Sequence, residues 1–326
     1  MLAVVVERIG QALISILVVA LIAFVMVRFV GDPIEHLVGL ETTLEDRAAL
    51  RAELGLDRPM IEQFVDFIAR TAQLDLGRSY QFDMPVLQLF AERLPATLEL
   101  ALIATALSIL IGLPAGIALA LHRDHPISKA VLSASLLGVS LPTFFVAIVL
   151  TFIFSVKLQV LPAFGRGEVI DLGGWTTGLL TVSGLKALVL PATTLALFQI
   201  ALIVRLVRGE MIDALAADHI RFAHARGLPD RIVHFRHGLR SALVPIVTLI
   251  GLQLGTVVAF AIVTETVFQW PGLGRLFFQA VQTADIPVMA AYLVFTALLF
   301  ILINLAVDLL YVCVDPRVRL AGGHDG

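Results

Sequence analysis

The chain has one cysteine, Cys313, and three lysines, Lys129, Lys157 and Lys186, among 326 residues. A single thiol has no disulfide partner within the chain, and its place at the end of an apolar run reads as filler against lipid or a neighbouring helix. None of the lysines follows a glycine. That excludes the phosphate-binding loop of a Walker-type ATPase, in which glycines lead into Gly-Lys-Ser/Thr. The His-Glu-x-x-His helix and the Gly-x-Ser-x-Gly elbow are missing as well, so two common hydrolytic layouts drop out. Charge is sparse: 15% of residues are charged and the net charge is −3. A balance this close to neutral gives no footprint for nucleic acid.

In place of charge the chain has apolar length, with 59% hydrophobic residues and a mean hydropathy of +0.95. Six uncharged runs stand out: Ile9–Val27, Leu100–Leu121, Ala130–Val156, Ala187–Val204, Ser241–Thr264 and Ile286–Val307. Runs of about 18 residues or more match the roughly 30 Å hydrocarbon core of a bilayer. In lipid each backbone group must be paired within its own segment, so these runs are expected to be helices. The expected fold class is an all-α polytopic membrane protein with six transmembrane helices. The first run is longer than a signal-peptide core, and Val27-Arg28-Phe29 is no small-residue cleavage site, so it reads as an uncleaved helix.

The flanking charges set the orientation. The long segment from Gly31 to Arg93 is rich in acids, including Asp32, Glu35, Glu41, Glu45, Asp46, Glu53, Asp57 and Glu62. Short loops weigh more, because long ones cross almost regardless of charge. Loop 122–129 carries Arg123 and Lys129, segment 205–240 is arginine-rich, and the tail carries Arg317 and Arg319. The turn between the last two runs holds only Arg275. Positive-inside logic puts both termini, 122–129 and 205–240 in the cytoplasm. The resulting divisions are 1–30 for the first helix, 31–95 for an external helical segment, 96–313 for a five-helix core, and 314–326 for a cytoplasmic tail. Within 31–95, Thr43-Leu44-Glu45-Asp46 looks like a helix start and 60–73 is amphipathic at helical spacing. The uncharged stretch Gly173–Leu185 is too rich in glycine and threonine to span, and reads as an external loop or a re-entrant piece.

One segment does not fit an apolar protein. Residues 218–240, DHIRFAHARGLPDRIVHFRHGLR, carry five arginines and four histidines. His219 and His224 are five apart and point to different faces of a helix, whereas His234 and His237 are three apart and share one. Without a carboxylate or cysteine at matching spacing these are a weak ligand set, so no metal site is expected. From Gly209 to Arg226, Met211, Leu215 and Phe222 fall along one side, with Asp213, Asp218, Arg221 and Arg226 as the polar complement. Gly227 suits the left-handed position that ends a helix. Pro229 suits the first turn of the next, whose apolar side is Ile232, Val233, Phe235 and Leu239. The pattern is helix, glycine elbow, helix, with apolar faces that want a partner.

These residues resemble the cytoplasmic "EAA" loop of bacterial ABC importer permeases, in the form of the dipeptide/oligopeptide/nickel family. The resemblance rests on Asp218-His219-Ile220-Arg221-Phe222-Ala223-His224-Ala225-Arg226-Gly227-Leu228 and on Arg236-His237-Gly238-Leu239-Arg240-Ser241-Ala242-Leu243-Val244-Pro245. It extends to Gly31-Asp32-Pro33, Leu54-Gly55-Leu56-Asp57-Arg58-Pro59, Asp75-Leu76-Gly77-Arg78-Ser79 and Glu92-Arg93-Leu94-Pro95-Ala96-Thr97-Leu98-Glu99-Leu100. Further matches are Glu265-Thr266-Val267-Phe268-Gln269-Trp270-Pro271-Gly272-Leu273-Gly274-Arg275, Asn304 to Tyr311, and Asp315-Pro316-Arg317-Val318-Arg319. The chain departs from the family pattern at Phe222 and His224, where Thr and Arg are usual, at Pro229, and at Ser241, where Asn is usual.

The resemblance implies a type I ABC importer transmembrane domain in the bacterial inner membrane. It implies one homologous permease partner, two cytoplasmic ATPases that bind ATP and Mg, and an extracytoplasmic solute-binding protein. This chain would itself bind no cofactor and catalyse nothing. Asp218, Arg221, Ala223, Arg226, Gly227, Leu228, His237, Leu239 and Arg240 would form the ATPase-coupling loop.

Gln199, Thr248 and Gln253, with Thr193 and Thr194, are candidates for lining a translocation path or for interhelical packing; both readings stand. Pro114, Pro142, Pro191 and Pro245 are expected to break backbone pairing in or near spans, freeing carbonyls to line a cavity. Glu265, Trp270, Pro271 and Gly272 read either as an external gate or binding-protein contact, or as an interfacial anchor through Trp270. Asp308, costly in lipid, is expected to face protein. The cargo expected is a di- or oligopeptide; nickel is the alternative, though none of the six runs contains a histidine. An ion-gradient-driven carrier is the competing class, weakened by the scarcity of intramembrane carboxylates.

Overall fold

A computed structural model describes residues 2–29 and 57–314. The Thr43–Asp46 helix start and the Arg317 and Arg319 tail lie outside the described residues, as do the side chains of Asp308 and Cys313. Eleven helices are numbered here in chain order: α1 Leu2–Phe29, α2 Met60–Ala72, α3 Val86–Leu121, α4 Pro126–Ser140, α5 Thr143–Thr151, α6 Val182–Ala216, α7 Asp218–Ala225, α8 Asp230–Ile232, α9 Leu239–Val267, α10 Leu273–Thr283 and α11 Ile286–Val314. Two π turns, Phe152–Lys157 and Val233–Gly238, continue α5 and join α8 to α9. The helical expectation has one small exception, an antiparallel hairpin of β1 Ile170–Asp171 and β2 Thr176–Thr177. Gly173 and Gly174, both at positive φ, turn that hairpin. The 173–185 stretch therefore holds the hairpin turn and its second strand and leads into α6 at Val182.

Among the described residues five helices are long and apolar enough to cross a membrane. The third expected run is not one span. It is split at Leu141-Pro142 into α4 and the shorter apolar helix 143–157. Proline lacks the N–H that would continue the helix and pushes the residue before it out of the helical region. Pro114, Pro191 and Pro245, by contrast, lie inside continuous helices, where each costs the carbonyl four residues earlier its usual N–H partner without ending the helix. Helix α3 starts at Val86 and carries Pro95 within it. Helix α2 packs on α1 through Phe64 and Phe67, whose rings lie 5.4 and 5.9 Å from that of Phe24.

The centre of the bundle is the seam between α3 and α6. Gly112 and Gly116 lie one helical turn apart, the spacing of small residues that lets helices meet in lipid. A Cβ at Gly116 would sit 2.7 Å from Val207 Cβ, and one at Gly112 would sit 2.9 Å from Ile203 Cγ2. Ile203, Val207 and Met211 of α6 and Ile117 and Ala120 of α3 are buried there, with Ala242 and Ile246 of α9 against them. The seam also holds a buried polar pair, in which Ser108 Oγ donates to Gln199 Oε1 (2.9 Å).

Replacing Gly116 by leucine forces this seam apart. Overpacking of this kind costs about 1–3 kcal/mol. A lowered melting temperature of the detergent-solubilised protein is the expected result, with Gly209→Ala, where no atom lies within 4 Å, as the tolerated control.

Candidate functional site

The basic segment folds as an elbow at one end of the bundle. Helix α6 ends at Ala216, inside the periodic stretch Gly209–Arg226, and α7 restarts at Asp218. Gly227 has φ +74°, a left-handed conformation that costs an L-residue about 1–2 kcal/mol. Its N–H donates to His224 O (2.9 Å), and Leu228 N–H donates to Ala223 O (3.3 Å). This pair of bonds is the Schellman closure of a helix, with the glycine at the position after the cap. Ile220, Ala223 and Val233 are buried between the arms, with Leu215 and Leu228 packed on them.

Two contacts join the elbow to the spans. Leu215 belongs both to this small core and to the core of the α3–α6 seam. A Cβ at Gly238 would lie 2.8 Å from Leu215 Cδ2, so the π turn runs close over the end of α6. Ser241, one of the unusual residues, approaches His219 Nε2 at 3.3 Å and donates to His237 O (3.0 Å).

The outward face is mixed. Asp218, Arg221, Arg226 and Arg240 are exposed, and His237 and Leu239 are half-buried. Phe222 parts from buried Met211 and half-buried Leu215; it is 65% exposed, and Phe235 is 49% exposed. The reason is the break at Ala217, which turns α7 relative to α6 and hands the inward positions to Ile220 and Ala223. Arg226 lies over the Phe222 ring at 5.8 Å, and Arg221 pairs with Asp218 at 3.3 Å. An exposed pair like the latter contributes little to stability. The face is an apolar patch rimmed by guanidinium groups.

At the other end of the bundle lies a buried polar network that the motifs only half announce. Glu265 and Trp270 are fully buried, Gly272 is buried and Pro271 is half-buried. They face the subunit's own interior. Thr97 Oγ1 donates to Glu265 Oε1 (2.7 Å), and Arg275 N–H donates to Glu265 Oε2 (2.9 Å). Trp270 Nε1 donates to Ala96 O (2.9 Å), pinning the turn before α10 onto α3.

Beside it, Arg166 pairs with Glu99 with both side chains almost wholly buried, and lies 5.8 Å over the Trp270 ring. Arg166 Nη1 donates to Thr176 Oγ1 (3.0 Å), and Gly178 N–H donates to Glu99 Oε1 (3.2 Å). Asp285, at the start of α11, accepts from Ser79 Oγ and from the N–H groups of Tyr80 and Gln81 (3.2 Å each). Burial, and then the neighbouring Asp285 carboxylate, push the Tyr80 phenol above its ordinary range.

Arg166 and Asp285 were not singled out by the sequence. The available signals are a lone arginine flanked by glycines at 165 and 167, and an aspartate just before Ile286-Pro287, a typical helix entry.

The pathway candidates are not brought together into one lining. Gln199 is 2% exposed and held by Ser108, while its Nε2 finds no partner among the described residues. Gln253 accepts from Thr256 Oγ1 (2.8 Å) on its own helix. Thr194 donates to Leu190 O (2.8 Å). Thr248 donates to Val244 O (3.0 Å) and, with Pro245, borders an open cavity of about 380 Å³ next to Leu206.

Comparison with known proteins gives this architecture a family. Residues 112–320 match the binding-protein-dependent transport system inner membrane component, and residues 1–101 match the N-terminal part of the same kind of component. The chain belongs to that family. It is 38% identical over 321 residues to a putative peptide transport system permease protein of Brucella abortus (strain 2308), covering 98% of this chain and 99% of that protein. It is 36% identical over 336 residues to the dipeptide transport system permease protein DppB of Escherichia coli (strain K12), again covering 98% and 99%. In fold it is similar to an inward-facing structure of the MetNI methionine ABC transporter, with a TM-score of 0.57 at 20% identity, over 70% of this chain and 96% of that one. It is thus an ABC importer permease of the inner membrane, with the type I transmembrane fold.

The Glu99–Arg166 pair generates a stability prediction. Arg166→Ala leaves a buried carboxylate alone, a loss of about 3–5 kcal/mol, whereas removing both charges together costs less. Thermal unfolding of Arg166→Ala against Glu99→Gln/Arg166→Met should show the single variant as the less stable.

Proposed function

We propose that this chain forms half of the membrane pathway of an ATP-driven peptide importer, and that residues 218–240 are the part an ATPase grips. The observation that carries the reading is the elbow. It is a compact two-armed knob with its own small core, outward aromatic side chains at Phe222 and Phe235, and a core residue, Leu215, shared with the spans. A knob built this way transmits displacement, where a flexible loop would absorb it. The exposed Arg221, Arg226 and Arg240 suit acidic rims on the partner, orienting the dock more than tightening it.

In the full assembly this permease pairs with a second, homologous one above two cytoplasmic ATPases that hold ATP and Mg. A solute-binding protein delivers cargo at the opposite face. The subunit itself is non-catalytic, and the elbow lies in the cytoplasm. Closure of the ATPases on ATP moves the elbow, and α6 and α9 tilt with it. The buried network around Glu99 and Glu265 holds the outer end together while the inner end moves. Peptide cargo is supported by the names of the relatives in Brucella and Escherichia coli.

The test is reconstitution. The complex of this chain with its partner subunits, placed in proteoliposomes, is expected to hydrolyse ATP faster when a binding protein delivers a di- or oligopeptide. ATP-independent uptake by this chain alone would overturn the reading. Gly227→Pro probes the elbow directly, because proline cannot adopt φ +74° and has no N–H for His224 O. The variant is expected to assemble yet hydrolyse ATP without transport; full transport by it would sink the coupling role.

A further inference from the structure

The elbow brings together three groups that the sequence keeps apart. His224 stands near the end of α7, Asp230 begins α8 across the Gly227 turn, and His234 lies in the π turn that follows. One ligand atom from each lies within 4.8 Å of the others. His224 Nδ1 is 3.6 Å from Asp230 Oδ1, and the two imidazole rings are 6.4 Å apart at 70° to each other. We propose that His224, Asp230 and His234 form a divalent transition-metal site of the zinc class that clamps the two arms of the elbow.

The donor set fits that chemistry. Two imidazole nitrogens and one carboxylate oxygen are borderline ligands suited to zinc, cobalt or nickel ions, and three protein ligands leave a position for water. The backbone is already shaped for it. The left-handed Gly227 folds α7 back toward α8, and buried Ala223 and Val233, each next to a histidine in sequence, fix the two arms. His224 and Asp230 are exposed, so their side chains are free to close the remaining gap onto an ion. An entry path is present as well: His234 borders an open cleft of about 670 Å³ shared with His122, Asp124 and His125. Two basic groups on α7 and its cap have partners of their own, Arg221 with Asp218 and Arg226 with the Phe222 ring. His224 is also one of the positions at which this chain departs from the family pattern.

An ion here ties α7 to the helix that enters the membrane as α9, and so stiffens the elbow. That consequence rests on the coupling role proposed above; the binding itself does not. The experiment uses the full-length chain in its complex, with any affinity tag removed, titrated with Zn²⁺ by calorimetry and with Co²⁺ by its visible absorption. One ion per chain is expected. Each of His224→Ala, Asp230→Asn and His234→Ala is expected to weaken binding by more than about tenfold, since losses even outside the ligand set reach that size. His122→Ala and His125→Ala, on the far side of the cleft, are expected to bind as the parent does.

Unchanged binding in the three ligand variants, or equal weakening by His122→Ala, overturns the site. A second measurement, Zn²⁺-dependent change in ATP hydrolysis by the complex that disappears in Asp230→Asn, supports the clamp. A complex that shows no peptide-stimulated hydrolysis but keeps the metal titration would count against the importer reading and leave this site standing.

Discussion

Everything else in the subunit hangs on how closely α3 and α6 can approach. Two glycines one turn apart remove the side chains that would hold the helices at an ordinary distance, and Ile203 and Val207 fill the space. In lipid there is little hydrophobic gain in bringing helices together, so tight van der Waals packing and interhelical hydrogen bonds must do it. The Ser108–Gln199 pair adds such a bond within the same seam. Because both helices are long and run side by side, a contact fixed in their second halves also sets how their ends are placed. At one end α6 is delivered to the elbow; at the other α3 presents Ala96, Thr97 and Glu99 to the network around Trp270 and Arg166.

The two ends are built on opposite principles. The elbow is held by local bonds, a Schellman turn and a small apolar core, and leaves its charges in water. The far end is held by pairs distant in sequence: Glu99 with Arg166, Thr97 with Glu265, Ser79 with Asp285. Buried charges are costly unless paired and hydrogen-bonded, and there each carboxylate has several donors. One end leaves an exposed, mixed face, and the other keeps its own segments in register.

That difference decides what the sequence can reveal. Spans, the amphipathic 60–73 helix and the Gly227 elbow are readable because periodicity and a left-handed glycine are local signals. Arg166 and Asp285 are not, because nothing near them in the chain names the partner 67 or 206 residues away. Spacing along one helix likewise misses His224, Asp230 and His234, which meet only once the chain has turned. Proline is ambiguous for a physical reason. At 114, 191 and 245 a long helix tolerates one lost N–H and runs on, while at 142 the chain breaks, so the residue alone does not decide. Trp270 was legible as important but not as buried, since an aromatic beside Pro-Gly looks the same in sequence whether it faces lipid, a partner or its own core.

Leu215 is shared between the elbow's core and the core of the spans, and Gly238 closes over it. A core shared in this way leaves the elbow no boundary along which to unfold by itself, for exposing Ile220 and Val233 also uncovers part of the packing around Met211. The amides of α7 should therefore exchange with solvent in step with those at the end of α6, as one cooperative unit and not as a fraying loop. In the coupling role proposed for it, as a surface element seized and released many times, that shared protection amounts to resistance to wear.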